Sequence, residues 1–282
     1  MLAVLLFIAA SAVPPQAPPA KVAALERIVV LGASLSHGYG LEQDGGGRVR
    51  FADVVETSLR AAHAPVLPRT SLFFFTDPQG TGKSLAATAR SADPTLVVAI
   101  DYLFWFGYGA CASPDGRLEL LDRGLALLDE FHCPVMVGDF PDCREASRDP
   151  APGSPPRLLA PEQVPSPDEL RKLNDHLRAW ASTRKNVVVV PLADLGARLR
   201  SGKDLEIHGN HWAGGTLAGL MQKDRLHPTL DGAIALWLGA LDALVAARPD
   251  VPASAFDWDA QAIRKRICDS RANARVPADG GR

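Results

Sequence analysis

Five short aliphatic runs, separated by stretches with helical spacing, constrain this chain more than any other feature. The first is Ile28-Val29-Val30-Leu31-Gly32. The second falls within 66–76 around Leu72-Phe73-Phe74-Phe75, and the others occupy 95–100, 133–140 and 186–190. None alternates cleanly between apolar and polar residues. A strand apolar on both faces must be covered on both, as in parallel sheets whose crossovers are helices. The intervening segments supply them. Phe51, Val54, Val55 and Leu59 share one helical face over 51–62, and a short helix is expected over 83–91. Leucines 118, 121, 125 and 128 do the same over 115–131, as do Leu170, Leu173, Leu177 and Trp180 over 168–183. Residues 230–247 form the strongest apolar helix. The expected architecture is α/β, with a five-stranded parallel sheet covered on both faces in a single domain over 25–282. No internal repeat is visible. The Pro-rich stretch 141–167 is too long for an ordinary connection and reads as a surface excursion or lid.

The amino terminus stands apart. Residues 1–12 are an apolar run ending in Ala10-Ser11-Ala12, with the length of a secretory h-region and too short to span a bilayer. No Lys or Arg precedes it, so the usual basic n-region is incomplete. Residues 13–24 are Pro/Ala-rich and read as a tether. These features predict an exported protein, periplasmic or extracellular, with membrane association as the lesser alternative. A net charge of −2 without a long basic run argues against nucleic acid as a partner. Cys111, Cys133, Cys143 and Cys268 allow up to two disulfides in an exported chain, or remain as buried thiols; their spacing is no zinc pattern.

Two segments carry candidate chemistry. Ser34 follows the first strand in Gly32-Ala33-Ser34, where open α/β sheets keep their ligands. By itself such a serine is more often a cap or a turn residue. Far downstream, Lys223-Asp224-Arg225-Leu226-His227-Pro228 precedes the last strong helix. An Asp three residues before a His on a turn can hold one imidazole tautomer and favour the imidazolium. Together the two segments provide a hydroxyl nucleophile, a base and an orienting carboxylate.

Gly32-Ala33-Ser34-Leu35 together with Asp224-Arg225-Leu226-His227-Pro228 resembles the SGNH/GDSL hydrolase family over most of 26–248. The resemblance implies a flavodoxin-like three-layer α/β/α fold and cleavage of esters, whether of small molecules, lipids or carbohydrates, without metal or cofactor. It implies Ser34 as nucleophile, His227 as base and Asp224 as its partner. The oxyanion would be held by the N–H groups of Ser34 and of a second-block glycine, Gly80 or, at the expected helix start, Gly82. Two positions depart from the family. Ala33 replaces the usual Asp, and no Asn follows the third strand, which runs on as Ile100-Asp101-Tyr102-Leu103-Phe104. A missing oxyanion donor costs roughly 3–4 kcal/mol of transition-state stabilisation. Asp101 fits either a contact to substrate or a structural carboxylate.

Other readings compete. Asp77-Pro78-Gln79-Gly80-Thr81-Gly82-Lys83-Ser84 imitates a phosphate-cradling P-loop, but with Asp77 in place of its first glycine. The absent Asn would suit a non-catalytic binding module on the same fold. The aromatic run 102–108 reads as core packing or as a pocket wall. Glu206, His208 and His211 lie on a segment expected to pass over the site as polar residues, their spacing matching no familiar metal motif.

Overall fold

The computed structural model describes residues 21–111, 113–150, 156–215 and 217–275. The expected signal segment, 1–12, and most of the tether lie outside the described residues. Five strands, β1 (Ile28–Gly32), β2 (Leu67–Thr70), β3 (Leu96–Ala99), β4 (Val135–Gly138) and β5 (Val187–Val190), form one sheet in the order β2-β1-β3-β4-β5. Every pair is parallel, with Val29 opposite both Leu67 and Val97, and Val98 opposite Met136. This is the doubly wound flavodoxin-like order, in which ligands bind beyond the carboxyl ends of the strands. A separate antiparallel hairpin pairs β6 (Leu205–Ile207) with β7 (Asn210–Trp212).

In chain order the helices begin with α1 (Ser34–His37), α2 (Glu42–Gly45), α3 (Phe51–Ser58), α4 (Pro78–Arg90), α5 (Phe104–Gly107) and α6 (Pro114–Leu128). They continue with α7 (Pro167–Ser182), α8 (Leu192–Arg200), α9 (Leu217–Leu220), α10 (Leu230–Ala247) and α11 (Ala260–Arg275).

Alternate strand residues feed opposite cores, as a period of two requires. Val30, Val98, Met136 and Val188 face one layer, with Phe51 of α3, Trp237 and Leu241 of α10, and Ile263 of α11. Val29, Leu31, Val97 and Val135 face the other, with Phe106, Leu121 of α6, and Leu173 and Leu177 of α7. Helix α10 is long and apolar enough to cross a membrane, but most of it is buried inside the domain. Its Trp237 Nε1 donates to Ser58 Oγ of α3 at 2.7 Å, satisfying the one polar atom that the indole brings into the core.

Sequence patterning misplaced one strand. Leu72-Phe73-Phe74-Phe75 is not in the sheet; β2 ends at Thr70, and Phe74–Thr76 is a 3-10 turn. Phe74 is buried, whereas Phe73 is 68% and Phe75 48% exposed. The edge strand is instead Leu67-Pro68-Arg69-Thr70, where Pro68, with no N–H to donate, is tolerable only because β2 has a single neighbour. Most of the aromatic run is core: Tyr102, Trp105, Phe106 and Tyr108 are buried. None of the four cysteines is joined in a disulfide, and all are half-buried. They sit on separate parts of the fold, Cys133 before β4, Cys143 beyond it, Cys111 before α6 and Cys268 on α11.

Candidate active site

The carboxyl edge of the sheet brings together β1 with the turn that follows it, Asp101 just past β3, and the 222–228 turn that leads into α10. Gly32 ends β1, and α1 starts at Ser34. Gly32 is needed here for close approach: a Cβ would lie 2.0 Å from Asp101 Oδ1 and 2.4 Å from Ser36 Oγ. Gly38 then closes α1 at φ +84°, a left-handed conformation that lets the chain fold back against Val49.

Asp101 braces this turn. Its Oδ1 accepts from the Ala33 N–H at 3.1 Å and from the Ser36 hydroxyl at 2.5 Å, and its Oδ2 accepts from the Ser36 N–H at 3.1 Å. The first-turn N–H groups of a helix have no partner a turn behind them, and Asp101 supplies one from a neighbouring strand. Burial pushes the Asp101 carboxyl up from its usual value, opposed by the hydrogen bonds from Ser36 and Ala33. Of the two roles read from the sequence, the geometry matches the structural carboxylate.

The Ser34 hydroxyl lies 2.8 Å from His227 Nε2, and His227 Nδ1 lies 2.8 Å from Asp224 Oδ2. An ionised carboxylate only accepts, so the ring proton sits on Nδ1, and Nε2 is left to accept from Ser34. The other carboxylate oxygen of Asp224 accepts from the N–H groups of Leu226 at 2.9 Å and His227 at 3.0 Å. The turn that makes this possible is tight. The Gln222 N–H donates to the His227 carbonyl at 2.8 Å, and Arg225 takes φ +61° between them. The Gln222 amide also donates to the carbonyls of Tyr39 and Pro228. Asp224 and His227 are buried, and the Tyr39 ring packs on the imidazole with centroids 4.4 Å apart. Burial alone would raise the Asp224 carboxyl, but the hydrogen bonds from the His227 ring, the His227 N–H and the Leu226 N–H outweigh it and hold it below the usual carboxylate range.

Ser34, His227 and Asp224 thus lie in one hydrogen-bonded chain. Gly82 does not join them. It is the fifth residue of α4, where a helical N–H points back to the carbonyl four residues earlier, not outward to a ligand. Its missing side chain makes room for Phe106 and Tyr102, and its carbonyl accepts from the Tyr102 hydroxyl at 3.0 Å. The helix starts earlier than expected because Asp77 caps it with Pro78 in the first turn. That cap also removes the P-loop: Asp77 Oδ1 takes the Gly80 N–H at 2.9 Å, and Gly80 to Ser84 are helical instead of looped around an anion. The Ser34 N–H opens α1 without an intrahelical acceptor.

The His208 segment lies elsewhere too. His208 pairs with Asp242 at 3.1 Å and stacks on Trp258. Asp242 lies twelve residues along α10 from Leu230, about 18 Å from the end that carries the site. His211 faces Asp204 and Glu206 on the hairpin.

Features that sequence reading missed include His37, one turn from Ser34. Its Nδ1 lies 3.1 Å from Thr70 Oγ1 and its Nε2 3.3 Å from Arg48. Burial, with Arg48 and Arg50 nearby, pushes its pKa down. It is engaged away from Ser34. Tyr39 on His227 was also missed; no spacing signal marks a ring stacked across two turns. An apolar cleft of about 640 Å³ is bordered by Leu35 and Leu226, the chain neighbours of Ser34 and His227.

The molecule is therefore a flavodoxin-like α/β/α domain carrying a Ser-His-Asp constellation at its ligand edge. No protein-family model matches the chain, and no curated protein does. Among solved structures it is similar to TesA, with 17% identity over 79% of this chain and 100% of that one at a TM-score of 0.48. It is similar to the lipase/acylhydrolase from Enterococcus faecalis, with 17% identity over 83% and 99% at 0.49. The psychrotrophic esterase EstA from Pseudoalteromonas sp. gives 14% identity over 78% and 97% at 0.46. The roles of individual residues rest on this chain's own geometry.

Proposed function

We propose that this chain is a serine acyl hydrolase of the SGNH/GDSL type, acting on esters. The observation that carries this reading is the unbroken path from Ser34 Oγ to His227 Nε2 and from His227 Nδ1 to Asp224, at 2.8 Å for each step. Ser34 attacks the ester carbonyl carbon while His227 Nε2 takes the hydroxyl proton. The Asp224 carboxylate stabilises the imidazolium that results. The carbonyl oxygen becomes an oxyanion beside the Ser34 N–H. On collapse the C–O bond to the alcohol breaks, and the alkoxide leaves with the proton from His227. Water then adds to the acyl-enzyme with the same base, releasing the acid and restoring Ser34. The apolar amino-terminal run supports export as part of this proposal.

Hydrolysis of p-nitrophenyl butyrate by wild type, Ser34→Ala and His227→Ala tests it, beside phosphonate labelling read by mass spectrometry. The expected result is turnover lost in both variants and a single adduct on Ser34. Undiminished turnover in Ser34→Ala overturns the assignment.

A further inference from the structure

Resting on the hydrolase reading, we infer that the ester substrate carries an anionic oxyacid group, a carboxylate or a phosphate, and that Arg48 and Arg50 receive it alongside Ser34. His37 links these arginines to the nucleophile. It stands three residues after Ser34 on α1, and residues so spaced are neighbours on one helical face. Its Nε2 lies 3.3 Å from the Arg48 guanidinium and its Nδ1 3.1 Å from Thr70 Oγ1. A guanidinium only donates, so Nε2 accepts and the ring proton sits on Nδ1, donating to Thr70. Arg48 is thus held by a neutral ring. A carboxylate in that position would cancel the charge; the imidazole orients the guanidinium and leaves its charge free.

The backbone that carries the two arginines is fixed as well. Val49, between them, is buried, and a Cβ on Gly38 would lie 2.0 Å from its carbonyl oxygen. Residues 48–50 therefore pack directly on the end of α1. Burial, then the charges of Arg48 and Arg50, push the His37 pKa down, so both cations stand close to that ring. Among the described residues neither arginine is ion-paired. The acids of this corner are committed elsewhere. Asp44 accepts from the Leu230 N–H, and Asp53 accepts from the Arg50 N–H and pairs with Arg271. Glu42 is exposed on α2 and pairs with neither.

The same sign recurs on the other flank. Lys223 and Arg225 stand on either side of Asp224 in the turn that carries His227, and neither is ion-paired among the described residues. The acids near that turn, Asp142 and Glu145, pair with Arg144 and Arg148. Asp101 and Asp224 are turned inward, onto the N–H groups of the nucleophile turn and onto the His227 ring. The chain as a whole carries a charge of −2, so unpaired cations around Ser34 are a local arrangement and not a general bias. Such a field draws an anionic ester toward the nucleophile and rewards its charge once bound. A neutral ester gains nothing from it.

The test compares esters matched in size: the p-nitrophenyl monoester of adipate with p-nitrophenyl hexanoate, and 1-acetylglycerol 3-phosphate with 1-acetylglycerol. Ser34→Ala supplies the background for each. The kcat/KM ratio of anionic to neutral ester is expected to be about ten or more in at least one pair. It should fall about ten-fold in Arg48→Ala, as for loss of a hydrogen bond to a charged group, and further in Arg48→Glu. Added salt should lower it too. The pair that responds identifies whether the acyl or the alcohol part bears the charge. A second readout needs no turnover. Inorganic phosphate titrated into Ser34→Ala should move the His37 ring signals in nitrogen NMR, assigned with His37→Gln, and Arg48→Ala should abolish the movement. Ser34-dependent cleavage with ratios near one in both pairs overturns the anionic substrate and leaves the hydrolase intact. A high ratio that Arg48→Glu leaves unchanged overturns the assignment to Arg48. Arg48-dependent phosphate binding in a protein that cleaves none of these esters keeps the anion site and sinks the hydrolase reading.

Discussion

Asp101→Asn isolates the brace on the nucleophile turn. The wild-type carboxylate offers two accepting oxygens to three donors, the N–H groups of Ala33 and Ser36 and the Ser36 hydroxyl. An amide has one accepting oxygen. If that oxygen faces Ser36 N–H, the amide nitrogen confronts the Ala33 N–H; in the flipped rotamer it confronts Ser36 N–H. The Ser36 hydroxyl can rotate to accept, but one backbone N–H is left buried without an acceptor in either case. That costs about 1–3 kcal/mol. Part of this is offset in the folding equilibrium, because the variant no longer buries a charge whose ionisation the site opposes. No such offset acts on the placement of Ser34. The expected result is a fall in kcat of about 5- to 150-fold, from that same 1–3 kcal/mol, with KM little changed. Urea unfolding should show a smaller loss. The pH dependence separates this from a general weakening. A carboxyl raised on folding makes the wild type lose stability as pH rises from the ordinary carboxyl value through the raised one, and Asp101→Asn removes that slope. A variant that keeps kcat within two-fold of wild type while folding normally would refute the brace.

Gly32→Ala places a methyl group where the Asp101 carboxylate and the Ser36 hydroxyl now sit, so it should reduce kcat as Asp101→Asn does. The double variant should be little worse than either alone, which a mutant cycle in kcat would reveal. Asp224 has its carboxyl held low by His227 and Leu226, so its stabilisation is full above the unfolded carboxyl value and is lost as pH falls through the depressed one. Asp224→Asn should flatten that acid limb in urea titrations and cut kcat on the order of 10⁴-fold, since the amide favours the wrong tautomer. Leu241→Ala, at a fully buried position on α10, should cost about 2–5 kcal/mol of unfolding free energy without changing which ester is preferred.

The parts of the site legible in sequence were those set by local chemistry. Aliphatic runs without alternation gave away a sheet buried on both faces, and four of the five strands lie where those runs stand. Asp224 and His227 were readable because a carboxylate three residues ahead of an imidazole meets it through one turn. Asp101 was visible as an acid at a strand end, but its role depends on contacts with residues 33 and 36, which no periodicity records. The second strand was centred too late within 66–76 for a similar reason. Leu72-Phe73-Phe74-Phe75 has high strand propensity, yet it leaves the sheet after Thr70, whereas the true edge strand contains a proline and an arginine that lower its apparent propensity. Gly82 looked free for an oxyanion because the helix start was placed at residue 83. The Asp77 cap moves that start five residues earlier and commits the glycine to packing.

The position of Asp101 connects the two departures from the family pattern. In the family that the sequence resembles, an acid follows the first glycine; here that position is Ala33, and the acid at the end of β3 reaches the same turn from the adjacent strand. Beyond Asp101 the chain then turns inward, with Tyr102 and Phe106 packed around Phe74 in the core. The exit of β3 is thereby given to bracing and packing, and no side-chain amide leaves it toward the oxyanion. On the hydrolase reading, loss of that donor without a replacement leaves less charge stabilisation for a small ester, whatever the geometry of Ser34, His227 and Asp224. Contacts to the rest of the ester compensate only if they hold the carbonyl against Ser34 more firmly in the transition state than in the ground state. A larger ester should then raise kcat and not merely lower KM.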